Sequence, residues 1–111
     1  MKLAAFPKCY MDDICVHRTM SVFDWIKIAE KHLKPVGVTG LEMYHGYLTS
    51  HEPAYLKSVK EAIGVAGFEM PMFCASPDFT SNDPSHRKRE IDKQKSMIWA
   101  ASQLEIGRAH V

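Results

Sequence analysis

Residues 38–48 read VTGLEMYHGYL. Val38–Tyr44 is a strand candidate, and a loop through His45, Gly46 and Tyr47 follows it. Side chains alternate along a strand, so Leu41 and Met43 share one face and Glu42 and Tyr44 the other. The apolar pair suits packing against helices. Glu42 then points to the opposite side, which becomes an interior if the sheet closes into a barrel. A carboxylate taken out of water needs a partner, so Glu42 is a candidate for holding another polar group. His45, at the strand's carboxyl end, is a candidate donor to a ligand hydroxyl.

Working outward, the chain alternates strands and helices. Before the stretch, Lys2–Phe6 is a short apolar run cut by Pro7 and reads as a buried strand. Pro7–Thr19 is polar and irregular and reads as a long loop. Ser21 then opens a helix, with Asp24 completing an Asp variant of the capping box and Met20 and Trp25 spaced for a hydrophobic staple. Val22, Trp25, Ile26, Ala29 and Leu33 form one apolar stripe, which Pro35 and Gly37 end.

After the stretch, Pro53 suits the first turn of a second helix. Its stripe is Tyr55, Leu56, Val59, Ala62, Ile63 and Ala66, with Gly67 as the stop. Glu69–Ala75 is the third strand, its proper start delayed by Pro71. Asp83 caps and Pro84 begins a third helix running to about Leu104, with Ile91, Ile98, Ala101 and Leu104 inward. The order βαβαβα predicts an α/β fold with a parallel sheet and right-handed crossovers. The period of about 31–37 residues is close to the roughly 31 per unit of a (β/α)8 barrel of about 250 residues. The expected fold is the three N-terminal βα units of such a barrel, incomplete, with a fourth strand due just after Leu104.

At that point the chain reads EIGRAHV. The codons GAG ATC GGA AGA GCA CAC GTC encode it. From their second base they spell AGATCGGAAGAGCACACGTC, the start of a common sequencing-library adapter whose next triplet, TGA, is a stop. Residues 1–105 are therefore expected to be a partial barrel, and residues 106–111 a non-native tail of translated adapter. Three units leave open strand edges and half-covered helices, which favour aggregation.

The 46% hydrophobic and 24% charged composition is globular. A formal charge of +1 gives no electrostatic case for nucleic acid or an anionic membrane. No apolar run approaches the roughly 20 residues of a membrane span, and the N-terminus lacks the apolar core of a signal peptide. Cys9, Cys15 and Cys74 are too few for a disulfide framework, and Cys9, Cys15 and His17 do not have a zinc spacing. A soluble cytoplasmic protein is expected.

In parallel α/β folds, sites gather at the carboxyl ends of strands. Three places qualify. The first is the loop carrying Lys8, Cys9 and Tyr10, read either as a cover over the ligand or as a solvated connection. The second holds Glu42 and His45. The third is MFCASPDFT, where Met72, Cys74 and Ser76 share a face. Cys74 either faces the pocket or fills the barrel. Asp78 either lines the mouth with Ser76 or starts an Asx-type turn. HRKRE at residues 86–90 reads as a solvated helix face. No phosphate-binding motif such as GxGxxG is present.

Taken together, KLAAF, SVFDWIKIAEKHL, GLEMYHGYL, FCASPDFTSNDP and HRKREIDKQKSMIWAA resemble the N-terminal part of sugar phosphate isomerases/epimerases of the xylose isomerase-like TIM-barrel superfamily. The resemblance covers about residues 2–104. It implies a metal-dependent enzyme of carbohydrate metabolism, acting on a sugar or sugar phosphate with Mn, Mg, Co or Zn. A carboxylate moves a proton next to the carbonyl while the cation polarises it. Metal ligands and catalytic glutamates of the family come mostly from later strands. So this fragment is expected to be inactive and to bind no metal, with Glu42, His45, Cys74, Ser76 and Asp78 as substrate-side residues. An apurinic endonuclease of the same superfamily is the alternative. Its strand-three histidine is replaced here by the Cys74 region, and no nucleic-acid partner is expected. A dehydratase or sugar-binding relative, and a small non-catalytic α/β binding module, remain open as well.

Overall fold

Ser21 and Asp24 form the reciprocal cap that their spacing predicts. Ser21 Oγ accepts from the Asp24 N–H at 3.1 Å, and an Asp24 carboxylate oxygen accepts from the Ser21 N–H at 2.9 Å. This pair starts the first long helix in the computed structural model, which describes residues 1–105 and the backbone of Ala109–His110. The tail reading of residues 106–111 otherwise lies outside the described residues.

The elements are β1 (Leu3–Ala5), α1 (Met11–Cys15), α2 (Val22–His32), β2 (Val38–Leu41), β3 (Met43–Tyr44), α3 (Pro53–Val65), β4 (Phe73–Cys74), α4 (Pro84–Gln103) and β5 (Ala109–His110). The fold is mixed α/β, and each strand pair is parallel. β2 and β3 run on as one central line. Leu41 N–H donates to Glu69 O, Glu42 N–H to Ala5 O and Met43 N–H to Met72 O, alternating between the two neighbours. β1 therefore lies on one side and β4 on the other, with β5 beyond β4.

The third strand is shorter than Glu69–Ala75, and Pro71 is the reason. Gly40 bridges to Glu69 while Met43 pairs with Phe73, so the third strand uses one residue more than its partner between these points. That extra residue is a bulge around Pro71, which has no N–H to give the ladder. Gly40 faces it closely: a Cβ there would lie 3.2 Å from both Ala4 Cβ and Pro71 Cδ.

Leu41, Met43 and Phe73 are buried, as are the predicted Val22, Trp25, Ile26 and Ala29 of α2 and Leu56, Val59 and Ile63 of α3. These residues belong to one apolar cluster. Gly67 stops the α3 region with φ +81°, and the Lys34 ammonium, bonded to Ala66 O at 2.8 Å, fills the place of a side chain there.

Two expectations are corrected. Pro7–Thr19 is not an irregular loop: Lys8–Tyr10 forms a 3₁₀ turn and Met11–Cys15 the short helix α1. Asp12 and Asp13 in its first turn suit the positive end of the helix, and Ile14 is buried beneath it. The inward face of α4 is also rotated. Ile91 and Ile98 are 46% and 51% exposed, whereas Gln94, Met97, Ala100, Ala101 and Leu104 are buried. Ile98 follows Met97 by one residue, about 100° around the axis. The small Ala100 and Ala101 allow the close approach that a β-branched isoleucine obstructs. No helix among the described residues is long and apolar enough to cross a membrane.

Candidate functional site

Parallel pairing brings the carboxyl ends of β3 and β4 side by side, with Tyr44 opposite Cys74. Just beyond, the Tyr44 hydroxyl lies 2.9 Å from Ser76 Oγ, and His45 Nε2 lies 3.4 Å from the same oxygen. The Tyr44 and His45 rings are 4.3 Å apart. Ser76 is exposed, and Tyr44 and His45 are half-buried, so this group can offer hydroxyl and imidazole hydrogen bonds to a ligand.

Burial holds His45 below the ordinary histidine range, assisted by the Lys93 ammonium and opposed by Glu90. The imidazole is therefore neutral at pH 7 and can donate through one nitrogen and accept through the other. The loop after it is tied to α4, where His51 Nδ1 lies 2.7 Å from Ser96 Oγ.

Glu42 and Cys74 sit beside this group. Burial pushes the Cys74 thiol up, and the nearby Glu42 carboxylate pushes it further, so the sulfur stays protonated. Glu42 is half-buried and lines a hollow of about 320 Å³ with Lys2, Ala4 and Pro71, on the face opposite Leu41 and Met43. Its expected polar partner does not appear among the described ion pairs.

Asp78 stands apart from these five in an Asx-type turn. Its Oδ1 accepts from the Thr80 N–H at 3.1 Å and from the Thr80 hydroxyl at 2.7 Å. Those bonds, with the nearby His86, hold its carboxyl below the usual range. Glu90 on α4 accepts from the Asp78 N–H at 3.3 Å, and His86 Nε2 lies 3.4 Å from Asp78 Oδ2 without hydrogen-bond geometry. Lys8 and Cys9 are exposed, and Tyr10 leans on Trp25 with ring centroids 6.1 Å apart.

Tyr44 belongs to the site although only its strand face was legible; its alternation with Glu42 was the available signal. A hollow of about 560 Å³ between Lys60, Phe68, Pro71 and Leu104 lies at the opposite end of the strands. Among the described residues, no three His, Cys, Asp or Glu side chains converge as a cation site. The described side chains here do not fit the divalent cation that the resemblance implies. No protein-family model and no curated protein matches the chain.

Proposed function

We propose that this chain is the first three βα units of a sugar phosphate isomerase/epimerase-like TIM barrel, and that its share of the reaction is to bind the sugar. The observation that carries the reading is the Tyr44–Ser76–His45 group at the carboxyl ends of adjacent parallel strands. Sugar hydroxyls both donate and accept, and so do two hydroxyls and a neutral imidazole. Tyr44 and Ser76 orient the substrate, while Glu42 and the protonated Cys74 line the wall beside it.

The proton transfer next to the carbonyl needs an acid/base carboxylate, which this reading assigns to strands downstream, together with the cation site. The fragment alone is then inactive. Unpaired Cys9, Cys15 and Cys74 suit a reducing, cytoplasmic setting.

The test is solvent-deuterium exchange by the protein expressed from the reading frame extended past Glu105. Incubated in deuterium oxide with manganese and a panel of ketoses and ketose phosphates, it should replace the hydrogen on the carbon next to one carbonyl. A folded, extended protein that exchanges none of them overturns the proposal.

A further inference from the structure

α4 has a second apolar line besides the one that faces the sheet. Ile91 and Ile98 are 46% and 51% exposed and lie two turns apart, about 10 Å along one side of the helix. Ser96 fixes which side that is. Its Oγ lies 2.7 Å from Nδ1 of His51, just ahead of α3, so Ser96 marks the side on which α3 packs. At about 100° per residue, Ile98 is about 160° and Ile91 about 140° round the axis from Ser96. The isoleucines therefore lie on the flank turned away from α3.

Topology says what belongs on that flank. β3, β4 and β5 lie side by side in chain order and are parallel. Right-handed crossovers keep successive helices on one face of such a sheet, each one place further along. α2, α3 and α4 already pack in this order. The helix that follows the strand beside β4 then comes to lie against α4 on the side away from α3. Charge narrows the occupant further. Arg87, Lys88 and Lys95 border the isoleucines, all within about 60° of Ile91, whereas the acids Glu90 and Asp92 are about 100° round to either side. A two-fold contact between copies of this chain would set that basic border against itself.

We propose that the Ile91–Ile98 flank is the seat of the next helix of the same chain, the one that follows the strand downstream of Glu105. That helix brings apolar residues at helical spacing onto the isoleucines and an acidic edge toward Lys88 and Lys95. The sequence pattern then has a second meaning: the two isoleucines are inward residues, but they face a neighbouring helix and not the sheet. The inference rests on the reading of a longer barrel and is independent of the sugar chemistry.

The test uses the protein expressed from the reading frame extended past Glu105, carrying Ile98→Cys or, on the outward face of the same helix, Asp92→Cys. Each introduced thiol is labelled with a maleimide, and its rate is read on its own peptide by mass spectrometry, apart from Cys9, Cys15 and Cys74. Both positions are exposed in residues 1–105, so a bare flank gives equal rates. The proposal predicts labelling at position 98 at least about tenfold slower than at position 92, because reaction there waits on local opening, and unchanged by dilution. Ile91→Cys gives the same reading if Ile98→Cys folds poorly. Equal rates overturn the proposal, and so does protection at position 98 that is lost on dilution, which marks a second copy. Equal rates in a protein that exchanges solvent deuterium overturn this inference alone. Protection in a protein that exchanges none leaves it standing while the isomerase reading falls. A frame that stops directly after Val111 removes the barrel reading and this inference together.

Discussion

The Tyr44 hydroxyl and Ser76 Oγ, 2.9 Å apart, join the carboxyl ends of two strands that are 32 residues apart in sequence. Ser76 also lies 3.4 Å from His45 Nε2, so one side chain organises both neighbours. On the proposed function, Ser76→Ala in the protein extended past Glu105 removes a group that would bind and orient the sugar, without touching the proton transfer itself. Loss of about one net hydrogen bond predicts a rise in KM of roughly 3- to 10-fold with a smaller change in kcat. Steady-state kinetics on the exchanged sugar measures it. An equal fall in kcat at unchanged KM argues for a direct chemical role instead.

His45 should titrate below the ordinary histidine value, as seen by NMR of its ring protons. Burial is the larger cause and Lys93 the next, so Lys93→Ala should move it partway up and leave the rest of the depression in place. The sign for stability follows from proton binding. Around and below pH 6.5 the unfolded chain binds the proton more readily than the folded one. The contribution is therefore complete above the unfolded value and is lost as pH falls through the lower folded one.

Ser21→Ala removes half of the cap that starts α2. The expected cost is about 1 kcal/mol, confined to the first turn and visible as faster amide exchange at Asp24 and Trp25. The Ser21 backbone N–H, then its hydroxyl, hold the Asp24 carboxyl below its usual 3.8. The cap is thus intact above that value and is lost as pH falls through the folded value, with fraying of α2 in acid. Unchanged exchange in both experiments speaks against the capping box.

The rotated face of α4 gives opposite expectations for adjacent residues. Met97 is 5% exposed and Ile98 51%. Met97→Ala should cost about 2–5 kcal/mol, and Ile98→Glu within about 0.5 kcal/mol. Urea unfolding of the two variants separates them; the reverse order restores the isoleucine face read from sequence.

These cases show which parts of the fold were legible. Features fixed by one or two local residues read correctly: the Ser21–Asp24 cap, the Gly67 stop, the Asp83–Pro84 helix start and the strand delayed by Pro71. Features decided by distant packing did not. α1 is only five residues long, too short for periodicity to register, and its place depends on burying Ile14. On α4 the isoleucines are more hydrophobic than Ala100 and Ala101, yet close approach selects the alanines. The face shared by Glu42 and Tyr44 followed from alternation, whereas Asp78's commitment to Thr80 required the loop geometry. Tyr47 reads as one more aromatic residue, because only the three-dimensional packing leaves its hydroxyl buried without a hydrogen-bond partner among the described residues.

The central claim is that these units open a longer barrel whose catalytic carboxylates lie downstream. It is tested most directly by reading the source DNA across the codons for Ala101–Val111 with a method that uses no library adapter. The account predicts that the frame runs on past Glu105 into an apolar strand, followed by Glu, Asp and His residues at later strand ends. A stop codon directly after the codon for Val111 would contradict it and leave a small α/β binding module in its place.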